Sequence, residues 1–213
     1  DGADHLQHYR DLREAPSRLF ERLPYLGAEV AFYGHNLAVW EFPTEDGTYH
    51  GWFDTGSGGI GQDYDSSVLY IMHSQKEKIV ARLSVQAPPK AFAAMLAAIA
   101  TFYHGAMIGG ERDARGAHVF QELREMAYPN IFVYVDPTKA SPPKSKPVLP
   151  GMYPTEENRR KILEELKSAV ISKAITFHCE RLCRELGTFS WIKFHNRLKA
   201  QAEKSQHDDH VMA

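Results

Sequence analysis

The chain has only two cysteines among its 213 residues, Cys179 and Cys183. They stand four apart, on one face if that segment is helical, and adjacent helical turns do not offer the geometry of an unstrained disulfide. Two reduced, packed thiols are therefore expected. A zinc site on His178, Cys179 and Cys183 lacks a second ligand pair at metal-binding spacing. No apolar run is long enough to span a bilayer and no signal-peptide pattern occurs, so a soluble protein is expected. Net charge is small, at −2, so no global field announces a nucleic-acid partner. A local basic patch is still compatible with that value, because the field at a cleft depends on how charges are arranged. There are no internal repeats.

What is present is an ordinary globular composition, 43% hydrophobic and 24% charged, long enough for one domain with a sizeable core. Residues 1–35 are polar and mixed, a lead-in with one short helix candidate in REAPSRLFERL. LAVWEFP, 37–43, and YHGWFD, 49–54, read as strands, and the Asp-Gly signal between them predicts a hairpin. SVLYIMH, 67–73, and IVARLSV, 79–85, read as a second antiparallel pair. Phe92, Met95, Leu96, Ile99, Phe102 and Tyr103 then recur at three- and four-residue steps, an amphipathic helix begun after two prolines and stopped at Gly105. GAMIGG, 105–110, is a short buried strand directly before Glu111. Residues 114–127 are a helix and NIFVYV, 130–135, another strand.

Strands that alternate with helices imply parallel pairing through crossovers. The expected fold is therefore α/β, a mixed sheet of three antiparallel strands followed by parallel strands, flanked by helices. Residues 136–154 hold six prolines and three lysines and read as a long exposed arm. A helix follows over 155–171, with Thr155 as N-cap and acids in its first turn. Beyond it come a short strand and helix in AITFHCERLCREL, an extended FSWIKF, and a helix start at HDDHVMA.

The stretch FDTGSGGIGQDYDSS, Phe53 to Ser67, crowds three aspartates among four glycines. It is not a phosphate-cradling P-loop, since no lysine follows the glycines and anionic side chains repel bare phosphate. Asp54, Asp63 and Asp65 instead suit a divalent cation, unless the loop is only a solvated acidic turn. Asp54 ends one predicted strand, Glu111 ends another, and Asp208 and Asp209 open the last helix. Carboxylates at the ends of neighbouring strands converge, and converged carboxylates raise each other's pKa unless cations compensate them. Hard ions such as Mg²⁺ or Mn²⁺ match such oxygen ligands. A pair of them about 4 Å apart is the usual clamp for a phosphodiester.

These elements and acids resemble, in order, the ribonuclease H-like nucleases. More closely they resemble the nuclease domain of the large terminase subunit of tailed bacteriophages. FDTGSGGIGQDYDSS resembles that family's first motif, AMIGGERDARG its second, HDDHVMA its third, and NRRKILEELKSAVISKAITFHCERLCREL the segment between them, together over roughly 35–213. The resemblance implies a metal-dependent endonuclease, with Asp54, Glu111 and Asp209 as catalytic metal-bridging carboxylates, Asp208 beside the last, and Asp63 a supporting or second-metal ligand. It implies two Mg or Mn ions, double-stranded DNA as substrate, and an ATPase domain, a small terminase subunit and a portal as partners. It places the protein in the cytoplasm of an infected bacterial host. The nuclease domain would span 36–213.

Asp65 reads as a solvated turn acid. Asp113 stands where the family has asparagine and reads as a cap for 114–127, with a further ligand as the alternative. No Walker A lysine motif occurs, and with Asp1 in place of an initiator Met an excised C-terminal domain is expected.

Candidate phosphate contacts are Arg112, Arg115, Lys139, Lys144, Lys146, Lys193 and Arg197, with Lys199 and Lys204 nearby, or these are a solubilising surface. His50, His195, His207 and His210 are candidates as proton donors or extra ligands. Trp52 and Trp191 read as core. The rival readings are another ribonuclease H-like enzyme, of resolvase or transposase type, and a non-catalytic module with a structural calcium site.

Overall fold

Period-two burial sets the central strand. In Tyr49–Asp54, β2, alternate residues Tyr49, Gly51 and Phe53 are buried, and His50, Trp52 and Asp54 face the other side half-buried. The computed structural model describes residues 35–56, 65–135, 148–194, 197–202 and 209–213. Its main sheet also contains β1, His35–Val39; β3, Ser67–His73; β4, Lys78–Val85; and β5, Met107–Gly110. The spatial order is β1-β4-β3-β2-β5, antiparallel throughout except that β5 runs parallel to β2. A separate antiparallel pair is made by β6, Phe189–Phe194, and β7, Arg197–Ala202.

The helix α1, Pro89–Phe102, carries the chain from β4 to β5. Because β4 and β5 run the same way, this is a crossover over the sheet. Ten consecutive α1 residues, Ala91 to Ala100, are buried, and six of them are alanines that allow the helix close to the strands. Pro89 sits at its first turn, where its missing N–H costs nothing. The helix α2, Ala114–Glu125, packs beside α1. Phe53, Phe92 and Phe120 meet between these helices and the sheet, with ring centroids 5.0 and 5.9 Å from Phe53.

The opposite face is covered by α3, Glu156–Ile171, α4, Glu180–Thr188, and the short α5, Asp209–Met212. Val68, Tyr70, Ile79, Leu163, Cys179, Leu182 and Val211 form a second apolar cluster there. Among the described residues no helix is long and apolar enough to cross a membrane.

Three local expectations change. The first two strands do not form a hairpin. The Asp-Gly signal does make a turn, with Gly47 N–H donating to Thr44 O at 2.9 Å, but β1 goes to the outer edge of β4, in register His35↔Val85. Both edges of β2 are taken by β3 and β5, so the antiparallel part has four strands and β1 is the outermost.

Secondly, 130–135 is not a regular strand. Ile131 and Val133 make only isolated parallel bridges, to Ile108 and Gly151. Thirdly, the arm is not wholly outside the sheet. Met152 bridges Glu111, its N–H donating to Gly110 O at 2.9 Å while Arg112 N–H donates to Met152 O at 2.6 Å. A strand over 197–202 was not expected, because RLKAQA lacks β-branched residues and takes its partner from β6. The helix candidate in 13–23 lies outside the described residues.

Truncating Phe120 to Ala should lower the unfolding free energy by about 3–5 kcal/mol, the usual cost of emptying a buried aromatic site. Ile171→Ala, at a side chain 71% exposed, should change it by no more than about 0.5 kcal/mol. Urea denaturation monitored by circular dichroism checks both.

Candidate metal centre

The parallel register of β2 and β5 pairs Trp52 with Gly109 and Phe53 with Gly110. The next position on each chain is Asp54 and Glu111. Adjacent strands lie about 4.8 Å apart, and residues at matched positions point to the same face. That face is fixed by Trp52, which lies over Gly109 so closely that a Cβ there would meet its ring at 2.5 Å. Asp54 and Glu111, each two residues further on, therefore share the face covered by α3 and α5.

Glu111 is held by the start of α2. Asp113 is the N-cap, its Oδ1 accepting from Gly116 N–H at 2.7 Å, so the cap reading of Asp113 is the one observed. A Cβ on Gly116 would sit 1.9 Å from the Glu111 carbonyl oxygen, so only glycine lets the helix begin this close to the strand end. The glycine-rich loop is pinched at its base. A Cβ on Gly56 would meet Asp65 O at 2.2 Å, and Gly56 N–H donates to Ser67 Oγ at 3.1 Å. Arg115 ties that base to α2 by donating to Gly56 O at 3.1 Å.

The Glu111 side chain is 5% exposed and forms an ion pair with Arg159, in the first turns of α3. Arg159 Nε donates to Oε1 at 2.8 Å and a terminal nitrogen donates to Oε2, a two-pronged pairing. Arg112 is engaged elsewhere, its guanidinium 5.4 Å from the Tyr153 ring centroid and donating to the Tyr153 hydroxyl at 2.8 Å.

Residue 209 opens α5 on the same face, through its neighbours. Val211 packs with Val68 and Tyr70, and Val68 is the β3 partner of Asp54. His210 is anchored twice. Its N–H donates to Glu185 Oε2 at 2.8 Å, and its Nδ1 lies 2.7 Å from the Tyr70 hydroxyl. Burial pushes the Tyr70 phenol far above its ordinary value. Burial, with the charges of Arg181 and Arg82, pulls His210 down to about 3. Tyr70 also donates to Cys179 Sγ at 3.2 Å, where Arg82 donates at 3.3 Å. Both thiols are free, Cys179 buried and Cys183 exposed.

Among the expected site residues, the structure thus brings Asp54 and Glu111 to adjacent strand ends and starts the helix of Asp209 over the same face. Asp63, Asp208, Lys139, Lys144, Lys146, Lys204, His195 and His207 lie outside the described residues. Lys193, Arg197 and Lys199 fall on the β6–β7 pair, which is a separate sheet. Asp65 is exposed beside the pinch. His50 is held by Ser74 Oγ at 2.8 Å.

Among the described residues no group of three or more His, Cys, Asp and Glu side chains is assembled around one metal position. Sequence reasoning missed Arg159 and the Tyr70–Glu185 anchors. Each is an ordinary helix or strand residue whose partner comes from far along the chain, so no local pattern marks it.

The sheet order, the parallel β2–β5 pair and the two helical layers make this a ribonuclease H-like fold. No family model and no curated protein sequence matches the chain. Solved structures do. The large terminase nuclease from thermophilic phage G20c, with bound magnesium, superposes with TM-score 0.64 at 18% identity, over 83% of this chain and 82% of that one. The same nuclease with bound cobalt superposes equally well, at TM-score 0.64 and 18% identity over 83% and 82% of the two chains. The large terminase nuclease domain of Thermus phage P74-26 gives 0.60 at 17% identity, over 83% and 80%.

Since His210 is neutral in the fold but takes a proton below about pH 6.5 once unfolded, stability is expected to fall as pH drops from 6.5 toward 3. In urea titrations between pH 7 and pH 5, His210→Gln should show a shallower loss of stability than the parent. Equal slopes would exclude His210 as the source.

Proposed function

We propose that this chain is a divalent-metal-dependent endonuclease domain of a phage large terminase, cutting double-stranded DNA with little sequence preference during genome packaging. The observation that carries the reading is the placement of Asp54 and Glu111 side by side at the ends of parallel strands, under the helix that begins at Asp209. The similar nucleases from G20c, solved with magnesium, cobalt and zinc, support a divalent cation as the cofactor.

The residues fit such an ion. Every proposed donor is a carboxylate oxygen, the ligand type hard cations prefer, and the buried Glu111 already draws a cationic partner. Asp54, Glu111 and Asp209 would hold it, with Asp63 and Asp208 supporting, and two Mg or Mn ions per site are proposed. Bound metal supplies charge neutralisation for the phosphodiester and an activated water. The chain's own contribution is to fix the carboxylates. The β2–β5 register sets the Asp54–Glu111 spacing, the Asp113 cap and Gly116 hold the Glu111 backbone, and Tyr70 with Glu185 anchors residue 210 next to Asp209.

DNA grip is assigned to Arg112 and Arg115 at the site's rim, to Lys193 and Arg197 on the β6–β7 pair, and to Lys139, Lys144 and Lys146 of the arm. The lead-in 1–35, the nuclease domain 36–213 and the arm 136–154 are the proposed organisation. The proposed partners are an ATPase domain, a small terminase subunit and a portal, in the cytoplasm of the infected bacterium.

Incubation with supercoiled plasmid and Mn²⁺ should give nicked and linear products, and EDTA should abolish them. Asp54→Ala and Glu111→Ala should reduce cleavage to background. Retained cleavage in both variants, or none in the parent with Mn²⁺, rejects the nuclease reading. Metal binding that persists without cleavage would leave a structural cation site instead.

A further inference from the structure

We infer that Arg159 is the resident counter-cation of the metal centre, occupying Glu111 until a divalent ion displaces it. The inference rests on the metal-site reading above and adds a loading step to it.

Three observations carry it. The Glu111 side chain is 5% exposed, so its charge has little water to stabilise it and needs a cation at all times. Arg159 meets both carboxylate oxygens, the atoms a metal would need. The partners are unequal, since the Arg159 side chain is 41% exposed and reaches water from α3. The arginine can therefore leave at low solvation cost, whereas Glu111 is held by β5, the Met152 bridge and the start of α2.

Arg159 follows Thr155, the N-cap, by four residues, and Glu156 and Glu157 fill the first turn. Of the other guanidinium groups near the site, Arg112 donates to the Tyr153 hydroxyl and Arg115 to Gly56 O. Once displaced from Glu111, Arg159 stays tethered by α3 at the rim of the site, where its positive charge would meet an anionic phosphate backbone.

The exchange makes metal binding and the ion pair compete, which calorimetry and thermal melting read without any cleavage assay. In Arg159→Gln, Glu111 is left without its partner, so the metal-free protein should melt lower than the parent. Its Mn²⁺ dissociation constant should be ~10-fold or more tighter, because the ion no longer has to break a buried pair. The rise in melting temperature on adding Mn²⁺ should be correspondingly larger. Arg159→Lys keeps the charge and loses the fork, so its affinity should lie between the two; it also serves if the glutamine variant fails to fold. Mn²⁺ affinity that is unchanged or weaker in these variants overturns the exchange while leaving the metal site standing. Absence of Mn²⁺ binding in the parent overturns the metal site and the exchange together.

Discussion

The parallel pairing of β2 with β5 is the constraint on which the rest depends. An antiparallel neighbour at that edge would set a strand's beginning, not its end, beside Asp54. Parallel pairing requires a crossover, and the crossover requires a helix that lies flat on the sheet. The alanine-rich α1 meets that need, with Phe53, Phe92 and Phe120 filling the space between it, α2 and the strands. The apolar side of β2 thus secures the geometry, and the other side displays its result. Because side chains alternate along a strand, the same six residues that build the core through Tyr49, Gly51 and Phe53 also aim Asp54 at the opposite layer.

Much of this was legible in the sequence because it is written in local patterns. The three-and-four spacing from Phe92 to Tyr103 marked α1, the short apolar run before Glu111 marked β5, and Thr155 and Asp113 marked two helix starts by their capping chemistry. The order of these pieces carried the mixed sheet, and with it the neighbourhood of Asp54 and Glu111. What was not legible has one physical cause, which is that partner choice between strands is a tertiary matter. The Asp-Gly turn at 46–47 forms as expected, yet β1 leaves for β4 because β2 has better partners on both edges. Similarly, Gly151 and Met152 belong to a segment whose prolines forbid a long strand, but two residues suffice for two bridges.

The candidate site shows the same division. Asp54 and Glu111 sit at strand ends and residue 209 at a helix start, positions that local sequence patterns mark. The supporting residues are not so marked. Arg159 is one of two consecutive arginines in a charged helix, and nothing in NRRKILEEL distinguishes the one that reaches Glu111. Tyr70 lies in the middle of an apolar strand, and its hydroxyl finds His210 across 140 positions of chain. Such contacts depend on the layer geometry, which has to exist before they can be named.

The pinch at Gly56 and Asp65 has a consequence for how this fold can diversify. The chain leaves the strand end and returns to the next strand through a point where two backbone segments touch. The base of the loop is thus set by Gly56, Asp65 and Ser67 at the strand ends. Lengthening a loop whose ends already meet costs only about 0.6 kcal/mol for each doubling. That base therefore works as a socket, in which segments of very different length and composition can be exchanged beside the carboxylates without altering the register that places them.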